Sequence, residues 1–178
     1  MLRPIDLIST DPGVEWLSRP RLSLDEYRRQ TRSHISRIDE AKQTLAHICL
    51  PFRGNGTISS VRCVDAVSTL NKLSNYVMQF CALLEETSRL PLALLALRYE
   101  NLYLCYQINE QAGRLRDLIT TYRKTNSSSR SSHRKDIYHA SQDILQLIAD
   151  LSQRVADQEQ IARFQEKRLL SAYEEASK

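Results

Sequence analysis

Apolar side chains recur at alternating intervals of three and four residues through four long stretches of the chain. This spacing places them along one side of an α-helix, whereas a half-buried β-strand needs an apolar residue at every second position. Gly accounts for only 4 of the 178 residues, which is few for a β-rich fold with its tight turns. The pattern therefore predicts an all-α fold.

Breaks between the apolar stripes divide the chain into an arm and a bundle. Residues 1–22 contain Pro4, Pro12 and Pro20 and no stripe, so we expect an extended N-terminal arm. Ser23 to Glu26 then matches a capping box, which opens a helical bundle over residues 23–178. The predicted helices span about 24–50, 58–87, 91–124 and 134–176. Short connections between long helices favour an antiparallel four-helix bundle.

The fourth predicted helix is longer than the others. At 1.5 Å per residue it reaches about 60 Å, against about 40 Å for the first helix. Its apolar seam weakens after Val155, where Gln158 and Gln165 occupy seam positions. We therefore expect its last third to extend beyond the bundle and to offer a protein partner four large apolar side chains, Ile161, Phe164, Leu169 and Tyr173.

Four further aromatic residues are candidates for a protein interface. Tyr99, Tyr103 and Tyr106 share one side of the most apolar predicted helix, which indicates positions in the core or at an interface. Trp16 lies in the arm, outside any helix, and is expected to dock onto the bundle or to meet a partner.

A basic segment joins the last two predicted helices. Residues 123–135 read RKTNSSSRSSHRK, with no acidic and no aliphatic residue, which is typical of a loop. Its cations could bind nucleic acid or an acidic membrane, although a solvated linker is the other interpretation because no aromatic residue is available to stack on bases. The candidate anion-binding residues are Arg123, Lys124, Arg130, Arg134 and Lys135.

Patterns for metal or cofactor chemistry are weak. The cysteines are spaced 14, 18 and 24 residues apart, too far for a zinc or redox pair, and are expected to be reduced core residues. A di-iron bundle site needs several Glu-x-x-His pairs, and only Asp136 with His139 comes near one. No glycine-rich phosphate loop or Gly-x-Ser-x-Gly motif is present. We therefore predict no metal, no cofactor and no small-molecule substrate.

One catalytic alternative remains open. Arg134 with His139, and Arg29 with His34, have the Arg-x4-His spacing used by the HEPN helical ribonucleases. With 19 Arg and 4 His in the chain such a spacing also arises by chance, so we claim no resemblance to that family. A ribonuclease is the third of three functional hypotheses.

The favoured hypothesis is a non-enzymatic scaffold or adaptor subunit that works through amphipathic helix faces in a homo- or hetero-oligomer. The second is an anion-binding module that uses the basic segment. Residues 1–23 hold three acidic residues and no long apolar run, and the chain shows no membrane-spanning stretch, so a cytoplasmic or nuclear location is expected.

Overall fold

A computed structural model of the chain describes residues 24–85, 98–125 and 130–178. Within these ranges the chain forms helices α1 (Leu24–Cys49), α2 (Ser60–Glu85), α3 (Arg98–Lys124) and α4 (Arg130–Ala176), with a short 3-10 turn at Leu50–Arg53. The described residues include no strand, and the all-α prediction is confirmed. The predicted arm, the capping-box residue Ser23 and residues 91–97 lie outside the described ranges.

Each helix packs against two antiparallel neighbours. α1 and α3 both lie against α2 and α4, which gives a four-helix bundle. Two contacts between each pair of neighbouring helices show that the helices are antiparallel, because the residue number falls along one helix as it rises along the other. On α1 and α4 these contacts are Arg32 with Glu159 and Asp39 with Ser152; on α2 and α3 they are Ser60 with Arg123 and Asn71 with Arg116.

The core follows the apolar stripes of the sequence. Its largest fully buried side chains are Phe52, Phe80, Ile38, Leu45, Leu70, Leu73, Leu84, Ile108, Leu115, Ile119, Ile137 and Ile144. The stripe of α2 is wider than the surface that α1 and α3 cover, so Val61 and Val64 remain exposed. Helical spacing thus predicted which face of α2 is buried, and the packing of α1 and α3 determines how much of that face they cover.

The connection between α1 and α2 is anchored from inside the bundle. Phe52 in the 3-10 turn is buried and packs edge-on against Tyr122 of α3, with ring centroids 5.5 Å apart. The Gly54 N–H donates to the Pro51 carbonyl at 3.1 Å, which closes the turn. The connection is therefore held in place by core packing and not only by its own backbone.

All four cysteines are buried thiols, as their apolar neighbours predicted. Burial raises the pKa of the Cys49 thiol to about 12. A hydrogen bond joins Cys81 of α2 to Cys105 of α3, and it raises the pKa of Cys105 and lowers that of Cys81. These thiols are part of the packed interior.

Helix α4 is much longer than its neighbours. Its 47 residues correspond to about 70 Å, whereas the 26 or 27 residues of each other helix correspond to about 40 Å. Arg130, at the start of α4, lies over the Tyr122 ring near the end of α3, so the extra length is at the C-terminal end. No helix in the described ranges has a stretch both long and apolar enough to cross a membrane.

Candidate functional site

The C-terminal part of α4 leaves the bundle after Ala162. Ala162 is the last buried residue, and every later residue whose side chain is described is exposed. Among these residues Phe164 is 63% exposed, Leu169 72% and Tyr173 73%. The expected overhang is therefore present, and it carries large apolar side chains in contact with water.

The apolar residues of the overhang do not share one face. Leu169 and Tyr173 follow Ala162 by 7 and 11 residues, so they continue the stripe that faces the bundle core. We call Leu169 and Tyr173 the α4 stripe. Ile161, which comes just before the overhang, and Phe164 lie on other sides of the helix, and the Arg168 guanidinium lies over the Phe164 ring at 6.0 Å from its centre. The four side chains that the sequence predicted as one interface therefore lie on different sides of α4. Leu169 and Tyr173 continue the stripe, and Ile161 and Phe164 do not.

Polar contacts fix the point where the overhang begins. Gln158 accepts a hydrogen bond from the buried Asn101 side chain of α3, with a distance of 2.8 Å between Nδ2 and Oε1. Glu159 forms an ion pair with Arg32 of α1 and a second one, at 2.9 Å, with Arg163. Burial opposes ionisation of Glu159, but the two arginines outweigh it and lower the pKa of this carboxyl group. Residues 158–162 thus belong to the bundle, and the overhang begins at 163.

The tyrosines of α3 lie on the outside of the bundle. Tyr99, Tyr103 and Tyr106 are 72%, 63% and 55% exposed. They occupy the side of α3 opposite Cys105 and Ala112, which are fully buried. The core position that helical spacing allowed is therefore wrong, and an interface position stays a prediction. Trp16, the remaining interface candidate, lies outside the described residues.

Arg134 has a structural role. Its Nη1 donates to the Gly56 carbonyl at 2.5 Å and its Nη2 donates to the Pro51 carbonyl at 2.7 Å. These bonds tie α4 to the connection between α1 and α2. Because two of its N–H groups bond to backbone carbonyls, Arg134 holds these segments together, and its assignment from the sequence as an anion ligand stays a prediction.

The segment at 123–135 is mostly helical where it is described. Arg123 and Lys124 end α3, and α4 begins at Arg130, four residues before the predicted start at 134. Residues 126–129 lie outside the described ranges. The predicted loop is therefore too long. Arg123 and Lys124 belong to α3, and α4 includes the polar residues 130–133 before Arg134.

Three of the basic residues surround one cavity. Arg123, Lys124 and Arg130 line a cavity of about 430 Å³ where the start of α2, the end of α3 and the start of α4 meet. Lys135 is exposed and does not line it. The other lining residues are Ile58, Ser60, Cys63, Thr120 and Tyr122. The assignment of these three cations as anion ligands stays a prediction, and the sequence gave no sign of Ser60, which comes from a distant segment.

The pairs with Arg-x4-His spacing have other partners. Arg29 forms an ion pair with Glu26 at 2.5 Å, and Arg134 holds the carbonyls described above. His34 packs near Phe80, and burial together with Arg37 lowers its pKa. Both arginines thus have other partners, and the ribonuclease stays a hypothesis.

The described ranges hold no group of three or more His, Cys, Asp or Glu side chains placed to bind a metal ion. No family model, no curated protein and no solved structure matches this chain.

Proposed function

We propose that this protein is a non-enzymatic interaction subunit, a scaffold or adaptor, that assembles with protein partners through the α4 stripe. The observation that carries the proposal is the exposure of Leu169 and Tyr173, 72% and 73%, on the same side of α4 as the core residues before them. Full burial of a large apolar side chain contributes about 1.5–3 kcal/mol, so a partner that covers both gains a substantial part of a binding free energy.

The spacing of the overhang favours a helix as the partner. Val155, Ala162 and Leu169 recur every seven residues, and Gln158, Gln165 and Ala172 alternate with them at intervals of three and four. This spacing matches the seam of a coiled coil, in which each side chain packs between residues of a facing helix, and Gln158 and Gln165 are the polar positions that weaken it. Within the bundle α1 and α3 supply the facing helices. Beyond Ala162 a helix of another subunit would complete the same packing, and a second copy of this chain is the first partner that we expect.

The tyrosines of α3 offer a second contact surface for such an assembly. Tyrosine is enriched at protein interfaces because its ring is apolar and its hydroxyl can still bond to water or to a partner. Tyr99 starts the exposed row at the same end of the bundle as the overhang, since its neighbour Glu100 forms an ion pair with Arg154 of α4. An assembly at this end could therefore use both surfaces.

Affinity capture with matched variants tests the proposal. The disruptive variant is Leu169→Glu with Tyr173→Glu, which places two charges on the α4 stripe. The control is Gln160→Glu with Ser171→Glu, which adds the same charge on the opposite side of the helix. We expect the unchanged chain and the control to retain the same proteins from extracts of the native host, and the disruptive variant to lose them. Equal retention by all three chains would contradict the proposal.

A further inference from the structure

The cavity at the opposite end of the bundle has the features of an anion site. Ser60 is the first residue of α2, Lys124 the last of α3 and Arg130 the first of α4, so three helix ends meet around about 430 Å³ of space. Two of the three ends are N-termini, whose backbone N–H groups carry partial positive charge, and the third is the C-terminus of α3, where Arg123 and Lys124 offset the partial negative charge of the carbonyl groups. Neither α2 nor α4 has an acidic residue in its first turn to offset that charge.

The two arginines are held in place by neutral groups. Arg130 Nε donates to the Thr125 carbonyl at 3.1 Å, and the guanidinium lies 5.4 Å from the centre of the buried Tyr122 ring. Arg123 Nη2 donates to the Ser60 hydroxyl oxygen at 3.3 Å. These contacts orient both side chains at the cavity without neutralising either of them.

No carboxylate compensates this charge within the described ranges. The ion pairs there involve other arginines, and none includes Arg123, Lys124 or Arg130. The positive charges of Arg123 and Arg130 act on the buried thiol of Cys63, which lines the cavity. Burial raises the pKa of this thiol, and the two arginines oppose that rise. Three uncompensated cations around one concave space are an arrangement that favours an anionic ligand.

We propose that this cavity binds a compact ligand carrying two or more phosphate groups. Arginine forks match the geometry of phosphate oxygens, and Lys124 adds a third positive charge. The Ser60 hydroxyl accepts from Arg123, so its own hydrogen can be donated to a ligand oxygen. The site is distinct from the α4 stripe and does not depend on the scaffold function.

The shape of the site favours a compact ligand over a long polyanion. The three cations line one concave space of limited volume, which suits a compact anion better than an extended duplex or a membrane surface. Tyr122, the aromatic residue of the cavity, is buried under Arg130 and cannot stack on a nucleic-acid base.

Calorimetric titration of the full chain with pyrophosphate tests this proposal. We expect Arg123→Gln with Lys124→Gln to weaken binding by at least about tenfold, which is about 1.4 kcal/mol. The control, Lys72→Gln with Arg114→Gln, removes the same charge from exposed positions outside the cavity and should change the affinity by less than about twofold. Equal weakening by both double variants, or no binding of pyrophosphate to the unchanged chain, would overturn the proposal.

A second variant separates loss of binding from loss of folding. Ser60→Asp places a carboxylate in the first turn of α2, where it compensates the helix dipole and occupies the anion position. We expect this variant to melt at the same or a higher temperature and to lose pyrophosphate binding. A variant that stays folded and binds pyrophosphate as tightly as the unchanged chain would contradict the site. Binding of single-stranded RNA or phosphatidylserine vesicles without binding of pyrophosphate would also overturn it, in favour of an extended polyanion.

Discussion

Deletion of residues 163–178 should leave the bundle folded and nearly as stable as the full chain. All described side chains in this segment are exposed, so the deletion removes little buried apolar surface. The ion pair of Arg163 with Glu159 is lost, but an exposed pair four residues apart on a helix contributes only about 0.3–0.5 kcal/mol. We expect the free energy of unfolding to fall by less than about 1 kcal/mol, or about 2–4 °C in Tm.

Leu151→Ala supplies the comparison within the same helix. Leu151 is fully buried, and a Leu-to-Ala change at such a position costs about 2–5 kcal/mol through lost contacts and the cavity that remains. For a chain of this length that corresponds to a fall in Tm of about 4–20 °C. One small substitution inside the bundle should therefore destabilise the protein more than removal of the whole overhang.

Thermal unfolding followed by circular dichroism measures both effects on the same scale, at a protein concentration low enough for light scattering to report a monomer, because self-association would itself raise Tm. The cut is placed after Ala162 because Gln158, Glu159 and Ala162 still contact other helices. If the deletion lowers Tm as much as Leu151→Ala does, Leu169 and Tyr173 pack within the folded monomer, and the reasoning that assigns them to a partner is wrong.

Three other predictions concern the bundle itself. Arg134→Lys should lower the free energy of unfolding, measured by urea titration, by about 1.5–3 kcal/mol, because lysine cannot bond both carbonyls as the guanidinium does. Lys135→Ala is the control and should have almost no effect. Equal effects of the two variants would contradict the structural role of Arg134. The pKa of Glu159 is lowered in the folded state, so its ion pair with Arg32 stabilises the protein at pH values above the ordinary pKa of 4.5. This contribution is lost as the pH falls through the folded-state pKa. Glu159→Gln should flatten that part of the profile of Tm against pH, and an unchanged profile would refute this. The Cys49 thiol, with a pKa of about 12, should react slowly with a thiol reagent until denaturant is added, and rapid labelling of the folded protein would show that it is accessible.

Helical spacing predicted which residues share a face, but not which faces a neighbour covers. It gave the end of α1 and the buried stripe of α4 closely, since both depend on local sequence. It could not show that Tyr99, Tyr103 and Tyr106 lie outside, because the row is as regular as a core stripe. That outcome depends on how α3 is rotated against α2 and α4.

Contacts between distant segments were beyond the reach of sequence reasoning. Arg134 bonds to Pro51 and Gly56, which are 83 and 78 residues away, and nothing in their spacing predicts the contact. The same holds for Ser60, which contacts Arg123 only because the start of α2 lies beside the end of α3. The basic composition of residues 123–135 allowed either an anion site or a solvated linker, and the fold separates the cations that line a cavity from those that do not.

The solution mass of the purified chain tests most directly whether the α4 stripe is an interaction surface. Light scattering should give a mass above the 20.6 kDa of one chain for the full protein and for the Gln160→Glu, Ser171→Glu control. The Leu169→Glu, Tyr173→Glu variant should return to 20.6 kDa while it keeps its helical content. A full chain that stays at 20.6 kDa at high concentration, with the same mass for both variants, would contradict the account.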